Sequence, residues 1–131
     1  YLAARGTPRA PADLAHHACL TCAYSATGNA WHFRDADARE HVVRVQGGVH
    51  ANNGQMLGAL AAAGLRVALE PDFIVAPGLA SGALVPLLAG YAPAASSIYA
   101  VYASRRHLSA KVRAFVDFLA ARFGPGAHTG V

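Results

Sequence analysis

The sequence predicts an α/β fold. Short β-forming runs at residues 18–24, 42–45, 65–69 and 98–102 alternate with stretches of helical spacing at residues 56–61 and 112–123. Glycine and proline fall mostly between these runs and punctuate them. The chain has 131 residues, 54% hydrophobic and 14% charged, which suits one domain with a packed core and excludes a disordered chain.

Taken in order, residues 1–17 open with a short helical segment that Gly6 and Pro8 end; Asp13 and Leu14 follow in one helical turn after Pro11. Residues 18–24 form a strand with Leu20 pointing into the core. Residues 25–40 are a polar, irregular connection with one bulky patch, where Trp31 and Phe33 alternate with His32 as in a short extended piece packed on one side. Val42, Val43 and Val45 mark a second strand. Gly47, Gly48, Asn52, Asn53 and Gly54 read as a turn-rich approach to a helix on which Met56, Leu57, Leu60 and Ala61 share a face, and Gly64 suits its end. Residues 65–69 are a third strand, closed by Glu70 and Pro71. Residues 72–80 have room for a short helix that Pro77 and Gly78 weaken. Residues 84–88 read as a fourth strand, placed at an edge by Pro86. Residues 90–97 are loop, and residues 98–102 a fifth strand.

Ser109 suits a helix N-cap. Beyond it Val112, Phe115, Val116, Leu119 and Phe123 recur mostly at spacings of three and four, so they share one face, and Gly124 with Pro125 stops the helix. Such an apolar face needs a cover. The formal charge of +4 is scattered except at Arg105, Arg106, His107, Lys111 and Arg113, a solvated turn and helix face rather than a nucleic-acid surface. No apolar run reaches the roughly 20 residues of a membrane span. The chain opens at Tyr1 with no initiating Met and no leader pattern, which reads as a fragment.

Motifs for catalysis or metal binding are weak. His16, His17, Cys19 and Cys22 contain a two-cysteine half-site, but on a strand Cys19 and Cys22 point to opposite faces. No nucleophile elbow accompanies the cysteines and histidines, and the glycines at 47, 48 and 54 lack the Gly-Lys-Ser/Thr end of a P-loop. Asp35 and Asp37 sit in a polar connection with no site around them. The residues therefore point away from an enzyme, and no catalytic residue, cofactor or metal is assigned.

The order of short motifs resembles the second half of the effector-binding domain of LysR-type transcriptional regulators. The matching pieces are Tyr1 and Leu2 with Gly6 and Pro8; Pro11, Asp13, Leu14 and His17; Cys19 and Leu20; Trp31 and Phe33; Asn52 and Asn53 with Leu57; Gly64 and Leu65; Pro71, Asp72 and Phe73; Gly82, Leu84 and Leu88; Tyr91 and Pro93; Ile98, Val101 and Tyr102; and Lys111 through Leu119. The resemblance implies a periplasmic-binding-protein-like lobe with a mixed central sheet, a fragment of a two-lobed domain. It implies residues 1–103 as the second lobe, 104–124 as hinge and helix returning to the first lobe, with Arg105, Arg106 and His107 at the hinge, and 125–131 as a disordered tail. It further implies a cytoplasmic bacterial sensor that binds a small-molecule effector in the interlobe cleft, a homo-oligomer without membrane contact, and DNA binding through an N-terminal domain that this chain lacks. A solute-binding lobe of a transport system and an oligomerisation domain without ligand are the rival readings; the upstream chain discriminates them.

The effector would touch the start of the helix after Gly54, whose first N–H groups are unpaired and attract anions. Asn52 and Asn53 either cap that helix or donate to a ligand. Ala51 would border the site. Tyr24 and Ser25 lie at or past the C-terminal end of the first strand, where α/β sheets offer ligand contacts, or are ordinary loop polarity. Two positions depart from the family pattern. Arg66 stands where a second glycine is usual, and Glu70 where an apolar residue is usual. A buried lone carboxylate is costly, so Glu70 is expected to be exposed, paired, with Arg66 a distant candidate, or facing the cleft, where it would disfavour an anionic effector.

Overall fold

The structure, a computed structural model, describes residues 1–94, 101 and 109–123. The chain divides into two compact units, Tyr1–Ala94 and Ala95–Val131. The first holds α1 (Leu2–Arg5), a 3-10 turn at Pro11–His16, β1 (Ala18–Cys22), β2 (Ala30–Arg34), β3 (Glu40–Arg44), β4 (Gln46–Ala51), α2 (Gly54–Ala62), β5 (Val67–Ala68), α3 (Asp72–Ala80) and β6 (Ala92–Pro93). The second contributes α4 (Ala110–Phe123).

The α/β class stands, with parallel and antiparallel pairing in two three-stranded sheets. One sheet is parallel, ordered β4-β1-β5. The other is antiparallel, ordered β3-β2-β6. The chain steps between them at Val45, which is 1% exposed; its N–H donates to the Asn29 carbonyl at 2.9 Å, and Asn29 Nδ2 donates back to the Val45 carbonyl at 3.3 Å. The helix α2 then crosses from β4 to β5, passing β1, the usual way to join parallel strands.

Each face of the parallel sheet carries its own core. Cys19 and Val67 join Leu14, Trp31, Phe33, Val43 and Val45 in one cluster; Leu20 joins Ala51 and Leu57 in the other, with Cys22 and Ala68 packed against it. The period of two along β1 and β5 divides these side chains. Cys19 and Cys22 thus lie on opposite faces, as the strand alternation predicts. Leu57, fully buried, anchors α2.

Several sequence expectations are corrected. The irregular stretch at 25–40 contains the full strand β2, and Trp31 and Phe33 are its two buried side chains. The glycines at 47 and 48 belong to β4 rather than to a turn. Glycine is required at 47: a Cβ there would stand 2.5 Å from the Cys19 carbonyl oxygen, where the β1–β4 register shifts. The third strand shortens from 65–69 to Val67–Ala68. Residues 84–88 are not a strand. Pro86 lacks an N–H, Leu88 takes a positive φ of 58°, and Leu84 N–H turns back to the Gly78 carbonyl at 3.0 Å, so Leu87 and Leu88 pack against the first core. The expected loop at 90–97 instead contains β6, which pairs Ala92 with Arg34 and Pro93 with Phe33.

The helix at 72–80 forms and carries Pro77 inside it. In α4, Ser109 Oγ accepts the Val112 N–H at 3.4 Å, the expected cap. The expected fifth strand, the hinge residues Arg105, Arg106 and His107, and the tail lie outside the described residues.

The two neighbouring glycines of β4 separate backbone approach from mere flexibility. Gly47→Ala pushes a Cβ into backbone that no rotamer change can relieve, whereas a Cβ at Gly48 would meet the Arg66 guanidinium, a side chain, at 3.5 Å or more. Urea unfolding is expected to show a loss of about 1–3 kcal/mol for Gly47→Ala and under about 1 kcal/mol for Gly48→Ala. Equal losses would show that the approach at Cys19 does not limit the fold.

Candidate functional site

Because β4, β1 and β5 run parallel, their C-terminal ends meet at one edge of the sheet. Register sets the levels: Cys22 pairs with Ala51, and Leu20 with Ala68, the last residue of β5, two positions before Glu70. The six residues singled out from sequence all fall at this edge. Tyr24 and Ser25 follow β1, Ala51 ends β4 with Asn52 and Asn53 after it, and Glu70 follows β5.

Their states differ. Tyr24 is 79% exposed. Ser25 Oγ is 3.2 Å from Thr27 Oγ1, and the Ser25 N–H donates to the Cys22 carbonyl at 3.1 Å, so the loop after β1 is a hydrogen-bonded turn. Ala51 is buried against Leu20 and Leu57, and its carbonyl accepts the Ala23 N–H at 2.9 Å; it fixes the strand end. Asn53 is the cap of α2: its Oδ1 accepts the Met56 N–H at 3.0 Å. Asn52 is exposed.

Glu70 is half-buried and lies against the start of α2, where a Cβ on Gly54 would run into its Oε2 and into Ile74 Cδ1. Its Oε1 is buried with no hydrogen-bond partner among the described residues. Burial pushes its carboxyl pKa above the usual glutamate value. Arg66 does not pair with it: Arg66 precedes β5 and Glu70 follows it, so they stand at opposite ends of the strand. The anion-attracting helix start therefore already has a carboxylate beside it.

Sequence reasoning missed two residues of this edge. Thr21, 2% exposed, hydrogen-bonds His50 Nδ1 across the β1–β4 pair, one level below Cys22 and Ala51. A threonine inside an otherwise apolar buried strand was the available signal; its partner, 29 positions away, becomes visible only once β4 is a strand. The described residues offer no cluster of metal-ligating groups. The Cys19 thiol is pushed up to about 11 by burial, so it stays protonated at neutral pH.

A family model described as the LysR substrate binding domain matches residues 1–124. The chain belongs to that family. It is 33% identical over 125 residues to the HTH-type transcriptional regulator CrgA of Neisseria meningitidis, covering 95% of this chain and 41% of that protein. To the HTH-type transcriptional regulator PtxR of Pseudomonas aeruginosa it is 34% identical over 125 residues, covering 95% and 39%. The chain thus spans about two fifths of the length of these curated relatives. Among solved structures, the regulatory domain of CrgA superposes with a TM-score of 0.70 at 31% identity, covering 95% of this chain and 61% of that one. The full-length Vibrio cholerae virulence activator AphB gives 0.75 at 25% identity, covering 92% and 41%. The family model describes a substrate binding domain, and both curated relatives are described as HTH-type transcriptional regulators. No helix among the described residues is long and apolar enough to cross a membrane.

Glu70 provides a pH test of the site's electrostatics. With its folded pKa raised, the folded chain holds the Glu70 proton to higher pH than the unfolded chain does. Stability is then lost as pH rises from the ordinary glutamate value near 4.5 through the folded pKa. Asp13 and Asp35 are held below 3.8, by backbone N–H bonds and by His41 respectively, so they act only in stronger acid. Thermal melts of wild type and Glu70→Gln between pH 4 and pH 7 are expected to diverge, with the substituted protein gaining relative stability as pH rises. Parallel curves would show that Glu70 ionises as if in water.

Proposed function

We propose that this chain is the second lobe of the effector-binding domain of a DNA-binding transcriptional regulator, and that its effector lies along the C-terminal edge of the parallel sheet. The observation that carries the reading is the convergence there of three strand ends and one capped helix start. Tyr24 offers a ring and hydroxyl, Ser25 and Asn52 offer short polar groups, and Asn53, whose oxygen caps α2, has amide N–H donors with no partner among the described residues. Ala51 sets the floor at the strand end. Residues 1–103 form the lobe, 104–124 the hinge and returning helix with Arg105, Arg106 and His107 at the crossing, and 125–131 the tail. DNA contact and homo-oligomer formation belong to the whole regulator, of which CrgA and PtxR, both described as HTH-type regulators, are relatives.

Glu70 narrows the effector's chemistry. A carboxylate against the helix start repels a second one placed beside it, by about 1–4 kcal/mol at contact distance. The effector that fits is neutral and polar, or carries an amine toward Glu70. The test uses the full-length, two-lobed protein, because half of the cleft comes from the other lobe. A thermal-shift screen of small metabolites at pH 7 is expected to return neutral or amine-bearing compounds, whose stabilisation Asn52→Ala and Tyr24→Ala reduce. Hits that are carboxylates, strengthened by Glu70→Gln, would overturn the proposed effector chemistry. Hits indifferent to both the Asn52 and Tyr24 substitutions would overturn the site.

A further inference from the structure

We propose that the opposite, N-terminal edge of the same parallel sheet holds a second ligand site, for a small anion carrying two or more carboxylate or phosphate groups. This inference is independent of the effector reading above. An open cavity of about 600 Å³ lies there, lined by Arg5, His16, His17, Gln46, Gly48 and Arg66, among others. Four of these six are cationic or can become so. The two edges are separated by the length of β1, roughly 15 Å by strand rise.

Neither guanidinium group is paired with a carboxylate among the described residues. Among the described residues the ion pairs are His32–Glu40, Arg39–Asp37 and His41–Asp35, none of which involves Arg5 or Arg66. Asp13, the acid nearest His16 and His17 in sequence, has one oxygen that already accepts the N–H groups of Arg9 and Ala10 at 2.8 Å and 3.0 Å. Arg66 is half-buried and lies over Gly48, whose missing side chain leaves its guanidinium 3.5 Å from where a Cβ would be. His17 is held at Nδ1 by Tyr1 Oη at 3.2 Å, and that hydroxyl accepts the Ala18 N–H at 2.8 Å. One side of the cavity is therefore a fixed ring, and another is bare strand backbone at Gly47 and Gly48.

A partly desolvated guanidinium without a carboxylate, as at half-buried Arg66, is costly and is relieved by an oxyanion that its planar fork can grip with two N–H groups. Arg5, exposed, adds a second cation on the same cavity, which suits an anion with two charged ends. Convergence within a concavity also favours a small molecule over a duplex, whose phosphates would need basic groups spread along a surface.

The test titrates citrate and, separately, inorganic pyrophosphate into the protein at pH 7 and low salt, following amide chemical shifts. Saturable shifts are expected at Ala18, Gly47 and Gly48, with little change at Asn52, Asn53 and Gly54. The Arg5→Gln, Arg66→Gln double substitution is expected to weaken binding by at least about tenfold, while Arg34→Gln, which removes the same kind of charge elsewhere, changes it by less than about twofold. Arg66→Lys keeps the charge but not the fork and is expected to fall between. Amide spectra of each variant report that the fold persists. Saturation by only one of the two anions would assign the ligand class within the proposal. Non-saturating shifts, shifts centred on α2, equal losses in the Arg34 and Arg5/Arg66 variants, or binding of duplex DNA with no response to either anion would each overturn it.

Discussion

Everything described in the first unit depends on β1 being buried on both faces and paired on both edges. Its five residues hydrogen-bond β4 on one side and β5 on the other, all parallel. A strand in that position cannot be polar on either face, and Ala18–Cys22 carries only Thr21 as a hydrogen-bonding side chain beyond its thiols. Its alternation divides the interior: Cys19 feeds the larger core under the antiparallel sheet, Leu20 the smaller core under α2. The close approach of Gly47 to the Cys19 carbonyl is what lets β4 lie alongside it, so one missing side chain supports the whole parallel arrangement.

That arrangement explains why residues far apart in sequence share an edge. Parallel strands put like ends together, so the loops after residues 22, 51 and 68 emerge on one side without any contact among them being specified locally. The helix α2 begins there for the same reason, with Asn53 closing its first turn. The polar pair of Thr21 and His50 then ties β1 to β4 just beneath this edge.

The parts legible in the sequence were those whose signal is local. Asn53 and Ser109 announce helix starts by residue type, Gly64 a helix end, and Leu20 a buried strand. The candidate site was legible as a set of strand and helix ends, because the α/β order and the family resemblance pointed to those ends. The rest depended on tertiary partners. Gly47 and Gly48 have poor strand propensity, and β4 forms because a neighbouring backbone needs the space that a side chain would fill. Residues 84–88 have the composition of a strand but find no pairing edge, so their leucines serve the core from an irregular path. Pro77 sits within α3 although propensity alone argues against it, since the missing N–H costs one bond while Ile74 and Val75 keep the helix start anchored to the Pro71 carbonyl.

The two departures from the family pattern, Arg66 and Glu70, gain meaning from the same geometry. They bracket β5, a strand so short that its two ends belong to different edges of the sheet. Four residues of sequence thus place a cation at the N-terminal edge and a carboxylate at the C-terminal edge. Neither neutralises the other, because the strand holds them apart. Each instead sets the charge of its own surroundings: Arg66 over the bare backbone of Gly48, Glu70 against the start of α2 at Gly54. In both places a glycine makes room for the charged group. A side chain at Gly54 would displace Glu70 and return the helix start to the anion-attracting state its backbone dictates, so the polarity of this edge is decided by the Gly54–Glu70 pair together rather than by the helix alone.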